Sequence, residues 1–108
     1  MKTEEVYEKI WAACFEYFEK DHDKTAQTIR NMGIVKILHD FSSVIIESQR
    51  PGILIGPKGK LIEKIGDQFP DHDLKIFESQ EESIAEAIIS HFCDDIDIEY
   101  LYEDMENL

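Results

Sequence analysis

Two glycines three residues apart, Gly56 and Gly59, bracket Pro57 and Lys58 in a stretch whose apolar spacing is helical on both sides. Glycine takes positive φ without penalty, and Pro57 has no amide to give to a helical ladder, so this stretch cannot be one continuous helix. It reads as two helices joined by a tight turn. The first runs from Pro51, a residue suited to the first helical position, to Ile55. The second resumes at Lys60 and carries Leu61, Ile62, Ile65 and Phe69 at helical spacing.

The remainder of the chain supplies partners for this pair. Thr3 as an N-cap, Glu4 and Glu5 in a first turn, and Val6, Ile10, Cys14, Tyr17 and Phe18 at helical spacing predict a helix over residues 4–20. Asp21-His22-Asp23 ends it, and residues 25–32 add a further turn of helix. The β-branched runs Ile34–His39 and Ser43–Ser48, separated by a polar turn, predict a hairpin. Residues 74–77 form a third strand. Ser79-Gln80-Glu81-Glu82 reads as a capping box for a last helix through Ile84, Ile88 and Phe92. From Asp94 acid and apolar residues alternate through Tyr100, as an edge strand, a docked extension or an acidic arm. The predicted order is α-β-β-α-α-β plus an extra C-terminal helix. That is an α+β fold, a three-stranded sheet packed on one face by three helices. At 108 residues and 43% hydrophobic the chain suits one core, with residues 1–93 as a single domain and 94–108 as an acidic tail.

Charge narrows the function. Eleven Lys and Arg against 24 Asp and Glu give −13, an unpromising total for a phosphate-binding chain. The distribution reverses that impression. Residues 50–66 carry +3, with Arg50, Lys58, Lys60 and Lys64 against Glu63, whereas residues 67–108 hold 14 acids and one Lys. Glycines at 56 and 59 let another backbone come close, and a helix starting near Lys60 aims unpaired N–H groups at whatever lies over the turn. A phosphodiester backbone fits that description. A plainer reading stays open: the glycines serve only the helix-to-helix turn, and Ile55, Ile62 and Ile65 are core residues.

Other chemistries fail on spacing. A phosphate-binding P-loop ending at Gly59-Lys60 needs Gly at 54 and a hydroxyl at 61, where Leu54 and Leu61 stand, and Leu54 equally breaks a dinucleotide fingerprint. Asp21-His22-Asp23, His39-Asp40 and Asp71-His72-Asp73 lie at element ends, where Asp and His serve turns and caps, so no metal site is expected. Cys14 and Cys93, 79 positions apart, fit reduced core thiols rather than a disulfide, ligand or nucleophile. No apolar run approaches a membrane span, and Met1-Lys2-Thr3-Glu4-Glu5 has no secretory pattern, so a cytoplasmic setting is expected. No enzyme activity and no cofactor are expected.

Residues 52–65, a short helix ending in an apolar residue, a GxxG turn and a second helix with Ile62 and Ile65, resemble the KH domain. The preceding Arg50-Pro51-Gly52 and the helix and strand before the core make the likeness closest to its prokaryotic, type II branch, over residues 4–78. The resemblance implies a turn that clamps a four-nucleotide single strand, with bases along an apolar groove. It assigns Gly56 and Gly59 to close backbone approach, Lys58 and Lys60 to phosphates, Arg50 and Lys64 to flanking charge, and Pro57 to the shape of the turn. Ile53, Ile55 and Ile62, with strand 74–77, would line the groove. The implied partner is single-stranded RNA or ribosomal RNA, in ribosome assembly or translation. Four neutralised phosphates imply a log–log salt slope of about −2.8. The alternative is a KH-fold interaction module without RNA binding, whose acidic C-terminal region contacts a basic protein.

Overall fold

The computed structural model describes residues 1–92. Cys93 and the segment 94–108 lie outside the described residues, and with them the edge strand, docked extension or arm expected there and the boundary drawn at residue 93.

Helix α1 (Thr3–Tyr17) buries Val6, Ile10, Ala13 and Cys14 along one stripe and holds Glu4 and Glu5 in the first turn, where the helix dipole favours acid. Its N-cap residue is Lys2, so the expected Thr3 cap is not formed. The helix also stops before residue 20. Glu19 and Lys20 turn left-handed, at φ 56° and 66°, and the Lys20 N–H returns to the Phe15 carbonyl at 2.7 Å. Asp21-His22-Asp23 then begins a helix rather than ending one. Asp21 accepts the Lys24 N–H at 3.0 Å as an N-cap, and left-handed Gly33 closes α2 (His22–Met32). This 11-residue helix corrects the expected single turn.

Strands β1 (Ile34–His39) and β2 (Ser43–Ser48) form the expected antiparallel hairpin, with a register shift between Ile34 and Lys36. Asp40 builds the turn by accepting the N–H groups of Ser42 and Ser43, both at 2.8 Å. Those two amides, Ser42 first, hold its carboxyl below the ordinary 3.8. A lowered folded pKa makes this stabilisation complete above 3.8 and loses it as pH falls through the folded value. Asp40→Asn keeps an acceptor oxygen but not the charge. Its stability should therefore lack the part of the acid-side fall that Asp40 supplies; urea midpoints that fall identically in both proteins would contradict this.

Strand β3 (Asp73–Glu78) lies parallel to β2, giving a mixed sheet of order β1-β2-β3. Parallel neighbours need a crossover, and it is made of α3 (Pro51–Ile55), a 3-10 turn (Pro57–Gly59) and α4 (Lys60–Asp67). Along β2 burial alternates, with Val44, Ile46 and Ser48 inward. Val44 and Ile46 join Ile10 of α1, Ile29 of α2, Leu54 of α3, Ile65 of α4 and Ile88 of α5 (Ala85–Phe92) in one core. The core therefore draws on more than the three helices expected, and the last helix is no appendage.

The start of α5 also differs from expectation. Ser79 does not cap it; the Ser79 N–H bonds the Ser48 carbonyl at 3.0 Å and prolongs the β2–β3 ladder. Ser83 takes the capping part, its Oγ accepting the Ala85 N–H at 3.0 Å and donating to the Ile34 carbonyl at 2.9 Å. Cys14 is fully buried, which pushes its thiol up to about 12. In a Cys93→Ser background Cys14 should stay unmodified by a thiol reagent until denaturant is added; prompt reaction of the folded protein would contradict its burial. No helix among the described residues is long and apolar enough to cross a membrane.

Candidate functional site

The crossover is anchored at Arg50. Its N–H reaches the Met32 carbonyl and Ser48 Oγ, each at 3.1 Å, and its Nη1 donates to the Asn31 carbonyl at 2.9 Å. The guanidinium thus satisfies a carbonyl at the C-terminal end of α2, where a cation is favoured. Pro51 follows as the first residue of α3, and buried Leu54 fixes that short helix to the core.

The two glycines of the turn have different physical roles. Gly56 adopts φ 76° and ψ 173°, a combination essentially confined to glycine. A Cβ there would lie 2.6 Å from Leu61 Cβ and 3.1 Å from the Leu61 nitrogen, so the vacant space is filled by the first turn of α4 itself. Gly59, left-handed at φ 73° and ψ 14°, is open: a Cβ would meet Ile62 Cγ2 at 4.0 Å and nothing nearer. Close approach from outside therefore has room at Gly59 and not at Gly56. Between them Pro57 and Lys58 are exposed, and Lys58 is itself left-handed at φ 57°, an uncommon state for lysine.

Gly59 is also the N-cap residue of α4, and no side chain caps that helix. The Gly59 N–H is taken by the Gly56 carbonyl and the Lys60 N–H by the Pro57 carbonyl, so it is the positive end of the α4 dipole that faces the turn, next to exposed Lys60. At 100° per residue Leu61 and Ile65 form the buried seam of α4, Ile62 lies on one flank, and Lys60 and Lys64 lie on the other. Lys64 borders a small recess with Ala13, Glu16 and Asp67, on the α1 side.

Ile53 and Ile55 occupy different sides of α3, as residues two apart on a helix do. Ile53 lines a groove of about 490 Å³ with Tyr17, Phe18, Thr28 and Pro57, between the turn and α1–α2. Ile55 is 39% exposed, Ile62 is half-buried and Ile65 is core. Helix α3 also packs on β3, where Leu74 and Ile76 are half-buried and Phe77 is exposed. One exposed turn therefore gathers Gly56, Pro57, Lys58, Gly59 and Lys60, while the Arg50 guanidinium is bonded to the Asn31 carbonyl, Lys64 lies on the α1 side and Ile53 lines the groove beside Gly56 and Pro57. Sequence reasoning missed Tyr17, Phe18 and Thr28 beside the turn; no spacing links residue 17 or 28 to residue 57.

His39, Asp40, Asp71 and His72 meet in another recess with Met1 and Phe41. Among the described residues, however, no three His, Cys, Asp or Glu side chains are placed to hold a metal ion.

A family model described as KH domain matches residues 16–90. Comparison with curated proteins and with solved structures gives no match. The family match enters at the end of α1 and continues into α5, past residue 78, where the resemblance was expected to end. It spans the hairpin, the glycine-bracketed crossover and the parallel strand, in the order of the type II branch. With well over half of its length answering to that pattern, the chain belongs to the KH domains, a family of nucleic-acid-binding modules.

Proposed function

We propose that this chain binds single-stranded RNA through the turn Gly56-Pro57-Lys58-Gly59. The observation that carries this reading is the open space over Gly59, at the uncapped start of α4 and between two exposed lysines, Lys58 and Lys60. A phosphate there meets the positive end of a helix dipole, the helix amides beyond Lys60 and two cations, with no Cβ in the way. Ile55 and Ile62, with the adjacent β3, offer apolar surface to the bases. The function is binding alone: no catalytic step and no cofactor is part of it. A cytoplasmic role in ribosome assembly or translation is the setting in which type II relatives place such a module.

The number of contacting cations can be measured. The two lysines at the turn itself, Lys58 and Lys60, are the phosphate contacts of this reading; Arg50 Nη1 is bonded to the Asn31 carbonyl and Lys64 lies a turn further along α4. At about −0.7 per contact on single strands, two contacts give a log–log salt slope of about −1.4. Anisotropy of a labelled oligouridine titrated at several KCl concentrations checks this. A slope near −2.8 restores Arg50 and Lys64 as contacts, and a slope near zero removes the phosphate reading. One observation favours a second reading: 14 acids after Gly66 suit a basic protein partner. That partner would bind unchanged when Lys58 is reversed in charge.

A further inference from the structure

Phe92 is the last described residue, and its ring stacks on Trp11 with centroids 4.8 Å apart. Trp11 and Tyr17 share α1, separated by roughly 9 Å along its axis. Tyr17 is in the wall of the groove behind the turn, whose other lining includes Phe18, Ile53 and Pro57, with the Thr28 hydroxyl as a polar group. The described chain therefore ends against the same helix, α1, whose C-terminal end walls a largely apolar groove adjoining Gly56-Pro57.

Sixteen residues follow Phe92, enough to reach roughly 50 Å when extended, several times the axial separation of Trp11 from Tyr17. They hold seven acids and no Lys or Arg. Asp95, Asp97 and Glu99 alternate with Ile96, Ile98 and Tyr100, so an extended backbone would present apolar groups on one side and carboxylates on the other. Cations stand beside the groove. Lys58 adjoins Pro57, and Lys24 precedes Thr28 by one turn on the same face of α2; both are exposed.

We infer that residues 94–102 dock across this groove, apolar side chains inward and carboxylates over Lys24 and Lys58, and so compete with the single strand for the turn. The competition rests on the nucleic-acid reading above; the docking does not. A tethered segment acts at an effective concentration of about 1 mM, so an intrinsic dissociation constant near 0.1 mM weakens RNA binding about tenfold.

The test uses the full chain in two variants. Ile96→Ser/Ile98→Ser/Tyr100→Ser keeps the tail charge; Asp95→Asn/Asp97→Asn/Glu99→Gln keeps its apolar groups. Both should bind a labelled oligouridine about tenfold more tightly than wild type, and in both the amide resonances of Phe18, Thr28, Gly52 and Gly56 should move without RNA. Tightening in the charge variant alone means long-range repulsion and overturns the docking. Unmoved amides overturn it as well. Shifts that grow with protein concentration mean a second copy's tail and overturn docking within one chain. Moved amides with unchanged affinity overturn the competition. Should no variant bind RNA, the nucleic-acid reading fails while the amide shifts still decide the docking.

Discussion

The double variant Pro57→Asp/Lys58→Asp should lose about 100-fold or more in affinity for single-stranded RNA while unfolding at nearly the wild-type temperature. A hydrogen bond to a charged group contributes about 1.5–3 kcal/mol, so deleting Lys58 alone costs roughly ten- to a hundredfold. Two carboxylates at the entrance of α4 add repulsion against a phosphate. The fold should tolerate the change because both side chains are exposed and Lys58 is already left-handed, where aspartate is better accommodated than lysine. Exposed substitutions of this kind shift stability by about 0.5 kcal/mol or less. Unimpaired binding would place the contact away from the turn.

The second large effect separates the glycines. Gly56→Ala forces a residue into backbone space reserved for glycine, at about 1–3 kcal/mol, and drives a methyl group against Leu61, at about 1–3 kcal/mol more. A destabilisation of roughly 2–6 kcal/mol is a large part of the stability of a small domain. Gly59→Ala meets no clash and costs about 1–2 kcal/mol for its left-handed φ, yet it places the methyl where a phosphate backbone would lie. Chemical denaturation should rank Gly56→Ala as the weaker fold, and Gly59→Ala should remain folded but bind poorly. The reverse order of stabilities, or full RNA affinity in Gly59→Ala, would contradict these roles.

The strands were legible because β-branched residues cluster between polar turns, and the crossover was legible because Pro51, Gly56 and Gly59 punctuate a helical period. Helix α2 was obscured for two physical reasons. Asp21 serves equally as a helix stop or an N-cap in sequence, and the buried stripe Thr25, Ala26, Ile29 and Met32 is narrow within a polar segment. The start of α5 was ambiguous because Ser-x-x-Glu occurs twice, at Ser79 and at Ser83. Pairing with the Ser48 carbonyl commits Ser79 to the sheet, a choice made by tertiary register.

The exposed turn followed from residue type at local spacing. The direction of its flanking Arg50 did not, since that side chain is drawn to the Asn31 carbonyl, a partner 19 residues away. Placing Ile53 and Ile55 together overlooked the helical period, which separates them by about 200°. A total charge of −13 pointed away from nucleic acid because it averages over a short cationic turn.

RNA binding at the turn is best checked by following every backbone amide while a short oligouridine is titrated into the full chain. The largest shifts should fall on Gly59, Lys60, Leu61 and Ile62, with smaller ones along β3. Saturating shifts confined to other surfaces, with the amides at the start of α4 unmoved, would contradict it.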